Sequence, residues 1–474
     1  MHGMTFAALI GLTALGAAVR AGASPAPSQV TGAIPIGSRL ELFVDDYLID
    51  KMSDLSLRLH CPTPREIAIR FDSPSDGATS AYVTVFKDGD LYRMYYRGSG
   101  MVEGGHQVTC YAESRDGIAW AKPSLGLYEL QGSRENNIVW MGPECHNFAA
   151  FRDDNPAAPP SHRYKAIGGN PPMALVSPDG IHWRKLLDRP IISRSTHDPH
   201  DYGFDSQNNG FWDAARGRYV AYLRSRFEGS RSIRRSLSDD FLHWMRMEQL
   251  EFTHAPREAT ANLYTNGIIP YFRAPHLYLG FPKRFTGRQA VPEHPHSGVS
   301  DGVFMSSRDG LRWRFFAEAF IRPGLERNNW TERSNMPVWG VVPTSPEEIS
   351  LYWSEHYRHP TSRLRRGTLR TDGFVSVHAD FAGGEFVTKP LTFAGKELVI
   401  NYATSAVGSV QVEIRDANGE PIPGFGLTTP IFGDHIERVV AWPGGADVSQ
   451  LAERPIRLRF VLKDADVYAL RFRE

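Results

Sequence analysis

Cysteine is scarce. Three occur in 474 residues, Cys61, Cys110 and Cys145. That excludes a disulfide scaffold and leaves room for one bridge at most. None of the three has the spacing of a zinc site, and buried free thiols are expected. Excess charge of one sign is lacking too, since 53 Lys and Arg balance 53 Asp and Glu. Without a basic face, no nucleic-acid partner is expected. Helical periodicity of useful length is absent. No Gly-rich phosphate loop and no G-x-S-x-G nucleophile elbow occur. "EHPHSG" (Glu293, His294, His296) and "THDPHD" (His197 to Asp201) carry histidines without an established ligand spacing. Neither a metal nor any other cofactor is expected.

Apolar runs long enough to matter for a membrane are confined to the N-terminus. "MTFAALIGLTALGAAV" precedes the small residues Ala21–Ala23, which reads as a cleaved secretory signal over 1–23. Residues 24–38 read as a flexible lead-in. A secreted or periplasmic chain follows, with no membrane contact beyond that segment. The alternative is an uncleaved anchor, for which the run is short.

What the sequence does have is a repeat. "SRDGIAW", "SPDGIHW", "SDDFLHW" and "SSRDGLRW" place Asp116, Asp179, Asp240 and Asp309 at intervals of about 60–70 residues, and "RTDGFVS" at Asp372 is a degenerate fifth copy. The same order precedes each copy. In the first unit "AYVTVFKDGDLYRMYYRG" gives two apolar and aromatic runs around a turn, a hairpin signal, and "VTCYAES" leads into the motif. Four antiparallel strands per unit, repeated five times, predict an all-β, five-bladed β-propeller over 39–375. A residue needed once for chemistry would not recur at five equivalent places, so the motif is expected to be a structural turn. After Ser376 the rhythm stops. Runs such as "KELVINYAT", "SVQVEIRD" and "PIRLRFVLKD" alternate, and 376–474 reads as a C-terminal β-sandwich.

Propeller ligands bind at the axial funnel, where each inner strand begins. Measuring back from each motif selects the candidates. Asp76, Asp205, Glu258 and Glu332 come from different blades and are expected to act as the acid/base set. Glycosidic cleavage needs one protonated and one ionised carboxyl group, and converging carboxylates would separate one another's pKa values. His146, Asn147, Gln207, Asn208, Tyr264, Arg284, Trp330 and Asn335 are expected to bind substrate. Amides and aromatics suit a carbohydrate, with its hydroxyls and apolar face. Lys283 beside Arg284 offers charge for an anionic substrate such as a uronate or sulfate. "DDYLID" (Asp45, Asp46, Asp50) reads as the strand entering the propeller, with its charges outward.

The chain resembles the five-bladed propeller superfamily of glycoside hydrolase families 32 and 43. It is most similar to secreted bacterial, planctomycete-type glycosyl-hydrolase-like proteins. The likeness rests on "LFVDDYLID", "YVTVFKDGDLYRMYYRG", "FDSQNNGFWD" and "LRTDGFVSVHA" and covers nearly everything after residue 38. It implies a glycoside hydrolase acting on poly- or oligosaccharide. Three acids from successive blades would be base or nucleophile, stabiliser and general acid, with Asp76 in the first place and Asp205 in the third blade. The W-x-N-D-P-N-G run of family 32 is absent, and R-D-P has only a loose echo in "FRDDNP". The motif also resembles the Asp box of six-bladed sialidases. A non-catalytic glycan- or protein-binding propeller is the alternative.

Overall fold

The computed structural model describes residues 32–99, 107–193, 203–289, 291, 294 and 296–474. The expected signal segment, most of the lead-in, Glu293 and His197 to Asp201 lie outside these residues. The chain builds a five-bladed β-propeller and one further sheet wrapped around its own core.

In blade 1, Ala81–Asp88 pairs with Leu91–Gly98, with Asp88 opposite Leu91, so Gly89 and Asp90 form the turn. Gly89 takes φ +62°, which a side chain would resist. Val108–Ser114 and Ile138–Met141 complete the blade. These strands are buried on both faces along most of their length. Each blade packs against a neighbour on either side, which is why the runs are apolar rather than alternating. Blades 2 and 3 repeat the order from Ala149–Arg152 and Asn209–Asp213. Blade 4 starts at Ile269–Tyr271 and has six strands, including Lys283–Thr286.

Blade 5 corrects the expected domain boundary. Its strands Val342–Pro343, Glu348–Glu355 and Arg363–Arg370 are completed by Thr63–Arg70 from the N-terminal side, with Arg363 opposite Arg70. Residues before that strand belong to the second domain. Ile49–Ser53 pairs with Gly384–Thr388, and Leu55–Leu59 with Val375–Ala379. Even Ile34–Gly37, expected as lead-in, pairs with Leu391–Phe393. Phe43, Leu48 and Ile49 are buried in one core with Phe386 and Phe460. In that domain Glu397–Asp416 and Ile456–Arg473 pair almost end to end, from Glu397↔Arg473 to Asp416↔Ile456. "DDYLID" therefore joins the sandwich. Asp45 is not outward either; its carboxylate accepts from Arg308 Nε at 2.8 Å. Cys110 and Cys145 are buried free thiols, as expected, whereas Cys61 is exposed.

The repeated motif is a turn that joins neighbouring blades. In the first copy Asp116 Oδ1 accepts from the N–H groups of Ile118 and Ala119 at 2.8 and 2.9 Å, and Ser114 Oγ accepts from Gly117 N at 2.9 Å. The same bonds recur around Asp179, Asp240 and Asp309. The turn glycine then offers its carbonyl to the next blade over. Tyr95 of blade 1 donates to Gly180 O at 2.8 Å, and Tyr222 of blade 3 to Gly310 O at 2.9 Å. Tyr352 of blade 5 donates to Gly117 O, across the point where the ring closes. The motif tryptophan packs edge-on against the same tyrosine. Trp183–Tyr95, Trp313–Tyr222 and Trp120–Tyr352 have centroids 5.9, 6.0 and 5.8 Å apart. The fifth copy departs from this. Asp372 is buried and accepts from Tyr271 Oη at 2.7 Å and Arg273 Nε at 3.0 Å.

Candidate functional site

The inner strands begin at one mouth of the axial channel. Tyr82, at the start of the blade 1 inner strand, has φ +53° beside a register shift. A buried aromatic in this region is strained, and such strain persists where the surroundings impose it. Its ring lies nearly parallel to that of Tyr264 from blade 4, at 8° with centroids 6.5 Å apart. Their hydroxyls hydrogen-bond at 2.8 Å. With Ala81, Met336 and Tyr357 they form a small buried cluster. Burial, reinforced by Tyr264, pushes the Tyr82 phenol well up, so it stays protonated.

Cations surround this pair. Arg97 Cζ lies 4.7 Å from the Tyr82 ring centroid. Arg224 Cζ, Arg231 Cζ, Arg333 Cζ and Lys283 Nζ lie 5.1, 5.8, 5.5 and 4.2 Å from that of Tyr264. Lys283 is buried and donates to the Glu332 carbonyl at 2.8 Å. Burial, then the nearby Arg333, pushes its ammonium well below the usual range.

Of the four predicted acids, Asp205 is tied to this mouth through His146, and Glu332 meets Lys283 there through its backbone carbonyl. Asp205 Oδ1 bonds His146 Nε2 at 2.8 Å, and His146 Nδ1 bonds Gln107 Oε1 at 2.7 Å. Both ring nitrogens are thus engaged, and the ring sits 5.7 Å from that of Tyr82. The His146 bond, with Arg224 and Arg333 nearby, holds the Asp205 carboxyl at about 2. The His146 hydrogen bond, then nearby cations, and not a second carboxylate, set its ionisation, contrary to the expectation of mutually repelling acids. Glu332 Oε1 accepts from Arg358 Nε at 2.5 Å, while its buried Oε2 has no hydrogen-bond partner. Tyr264 and His146 both lie against the Tyr82 ring.

The other predictions are corrected. Asp76 is buried and receives Lys122 Nζ at 2.5 Å, while its other carboxylate oxygen is buried without a hydrogen-bond partner. Its position before an inner strand made it look like a funnel acid, but the chain folds back there, with Asp76 N bonding Ser73 O. Glu258 is exposed on the short helix Arg257–Thr260. It shares a groove of about 1150 Å³ with Arg284 and Trp330. On the strand Lys283–Thr286 residues alternate, so Lys283 faces Tyr264 while Arg284 faces away to pair with Asp301 at 2.6 Å. The amides tie backbone rather than face a ligand. Asn147 Nδ2 donates to Ser206 O at 2.7 Å, and Asn208 Oδ1 accepts from Arg224 N at 3.0 Å. Gln207 Nε2 donates to Val83 O at 3.1 Å, linking blades 3 and 1, and Asn335 Nδ2 donates to Ser300 O at 2.9 Å. Among the described residues no group of three or more His, Cys, Asp or Glu side chains gathers as a metal site.

Sequence reasoning missed Tyr82, Arg97, Arg224, Arg231, Arg333 and Tyr357. A signal existed. In "YYRG" and "YLRS" a cation stands two residues after the tyrosine that bonds the next blade's turn, Arg97 after Tyr95 and Arg224 after Tyr222. On a strand that offset keeps the side chain on the tyrosine's face, one step nearer the mouth. A second cavity, of about 550 Å³, lies where the inner strands end and is lined by Phe86, Phe151, Trp212 and Phe272. No predicted site residue lines it.

No family model matches the chain, and no curated protein matches it by sequence. Solved structures align with much of its length. A glycoside hydrolase aligns at TM-score 0.43 and 16% identity, covering 65% of this chain and 92% of its own. An N-acetylgalactosamine deacetylase from F. plautii, in complex with blood group B trisaccharide, aligns at 0.46 and 13%, covering 67% and 96%. A glycoside hydrolase family 43 arabinoxylan arabinofuranohydrolase from Bacillus subtilis aligns at 0.43 and 10%, covering 85% and 96%.

Proposed function

We propose that the chain is a carbohydrate-active enzyme, a glycoside hydrolase that cleaves poly- or oligosaccharide at the tyrosine-lined mouth. The observation that carries this reading is the Asp205 carboxylate, tethered through His146 beside the Tyr82–Tyr264 pair, with Glu332 of another blade next in chain to Arg333 and its carbonyl on Lys283. Asp205 is held ionised and tethered, which suits a base, nucleophile or stabiliser of positive charge at the sugar carbon. Glu332 keeps one buried oxygen without a hydrogen bond, which suits proton delivery to the leaving oxygen. Tyrosine rings and the Arg224 guanidinium suit the apolar face and hydroxyls of a sugar. Export to the periplasm or outside belongs to the same reading and rests on the apolar N-terminal run; the N-terminal sequence of the mature protein tests it.

A panel of polysaccharides and aryl glycosides tests the chemistry, with the Asp205→Asn and Glu332→Gln variants as controls. Turnover by the parent chain and a loss of about 10²–10⁴-fold in each variant are expected, with melting curves establishing that each variant is folded at the assay temperature. No turnover by the parent, with glycan binding retained in both variants, would instead identify a non-catalytic binding propeller.

A further inference from the structure

Three cations at the mouth, Arg97, Lys283 and Arg333, lack a direct carboxylate partner among the described residues, although Asp205 and Glu332 lie within electrostatic reach of Arg333 and Lys283. Arg97 is 3% exposed and donates Nη2 to Thr79 O at 2.7 Å, while its Nε is buried without a hydrogen-bond partner. Lys283, 1% exposed, donates to a carbonyl only. Arg333 Nη1 donates to Tyr357 Oη at 3.0 Å. Tyrosine faces stabilise the three groups, but a ring quadrupole offsets only part of the cost of desolvating like charges side by side. A sugar's hydroxyls would add dipoles and leave that repulsion in place. An oxyanion removes it, and the guanidinium fork matches carboxylate and sulfate geometry.

We infer that Arg97, Lys283 and Arg333 form an oxyanion site, and that the sugar taken at this mouth is acidic, carrying a carboxylate or sulfate. The inference rests on the carbohydrate reading above and specifies its substrate class. Arg224 and Arg231 flank the site from blade 3. The same chemistry is offered by a free oxyanion such as phosphate, so the test separates the two sources.

Calorimetric titration of the full chain with uronic-acid oligosaccharides, sulfated oligosaccharides, their neutral counterparts and inorganic phosphate is the experiment. Lys283→Met and Arg333→Gln are compared with the parent, and melting curves establish that each is folded; Arg333, partly exposed, is the safer change. Acidic saccharides are expected to bind at least about tenfold more tightly than neutral ones. That affinity should fall with added salt and drop about 10–100-fold in either variant. Equal binding of neutral and acidic saccharides, unchanged in the variants, overturns the oxyanion site and leaves the carbohydrate reading standing. Binding of phosphate with no saccharide of either kind overturns the carbohydrate reading instead. No binding of any probe overturns both.

Discussion

Tyr82 and Tyr264, from blades on different sides of the ring, share one hydrogen bond between their hydroxyls, 2.8 Å long, with their rings only 8° from parallel. That bond ties the mouth of the channel across its width. Tyr82→Phe should leave the Tyr264 hydroxyl short of a partner, and the reverse holds for Tyr264→Phe. Each is expected to cost about 1–2 kcal/mol in urea unfolding. The double variant should cost less than the sum, because the second change removes a group already stranded by the first. Strict additivity would mean that the two hydroxyls do not depend on each other.

Asp76 offers a test of structure against chemistry. Its carboxylate is fully buried and bonded to Lys122, which is itself mostly covered. Lys122→Met should destabilise the chain by about 3–5 kcal/mol, by leaving a buried charge unpaired. Asp76→Asn should lower the melting temperature while the folded fraction keeps its saccharide binding. Loss of binding at full stability would return Asp76 to the site.

The His146 bond sets the ionisation of Asp205. The folded carboxyl sits at about 2, below the ordinary value of about 3.9. A lowered carboxyl stabilises the fold above its ordinary value, and that contribution is lost as pH falls through about 2. In His146→Gln the midpoint should rise towards the ordinary value. Carboxyl titration by NMR reads this directly. An unmoved midpoint would assign the effect to Arg224 and Arg333.

The repeated turns give the whole ring an acid limit. At Asp240 burial pushes the carboxyl up, but the His243 ring and the N–H groups of His243 and Leu242 outweigh it and hold the group at about 2. Asp116 and Asp309 are lowered in the same way by their own turns, against burial. All three are depressed, so stability should be level from neutral pH to about 5 and fall between about 4 and 2. Each carboxylate is well exposed, and screening keeps its share below about 1 kcal/mol. Chemical denaturation across pH, with Asp240→Asn as the control that flattens part of the fall, measures it.

Much of the propeller is written locally. Asp116, Asp179, Asp240 and Asp309 mark the blades because each turn is built from its own side chain and the next few N–H groups. The hairpin at Gly89 is legible for the same reason. The pairing of Thr63–Arg70 with Arg363–Arg370 is not. Nothing in either run names a partner so far along the chain, and both read simply as strands.

The site follows the same division. His146, Asp205, Tyr264 and Glu332 are legible as candidates because they precede inner strands. Asp76 and Glu258 satisfy that rule and point elsewhere, since distance along the chain does not fix how a loop folds back. Arg97 and Arg224 stand within second strands, where a cation reads as an ordinary strand residue; Lys283 is legible as a charge beside Arg284, but its burial against Tyr264 is not. Asn147 and Asn208 read as ligands for sugar because amides serve loops and hydroxyls equally well; the carbonyls facing them decide.

The strand that completes blade 5 emerges from the ribosome about 300 residues before its partner. Until Arg363–Arg370 has been made, Thr63–Arg70 has no neighbour, and the strands between Ile34 and Leu59 wait still longer for theirs. The nascent chain cannot finish one domain and then begin the next; both cores close only when synthesis is nearly over. A chain cut short before Arg363 leaves Thr63–Arg70 unpaired, and one lacking its first seventy residues leaves an unpaired edge at Arg363–Arg370, ready to join a neighbouring molecule instead of its own beginning.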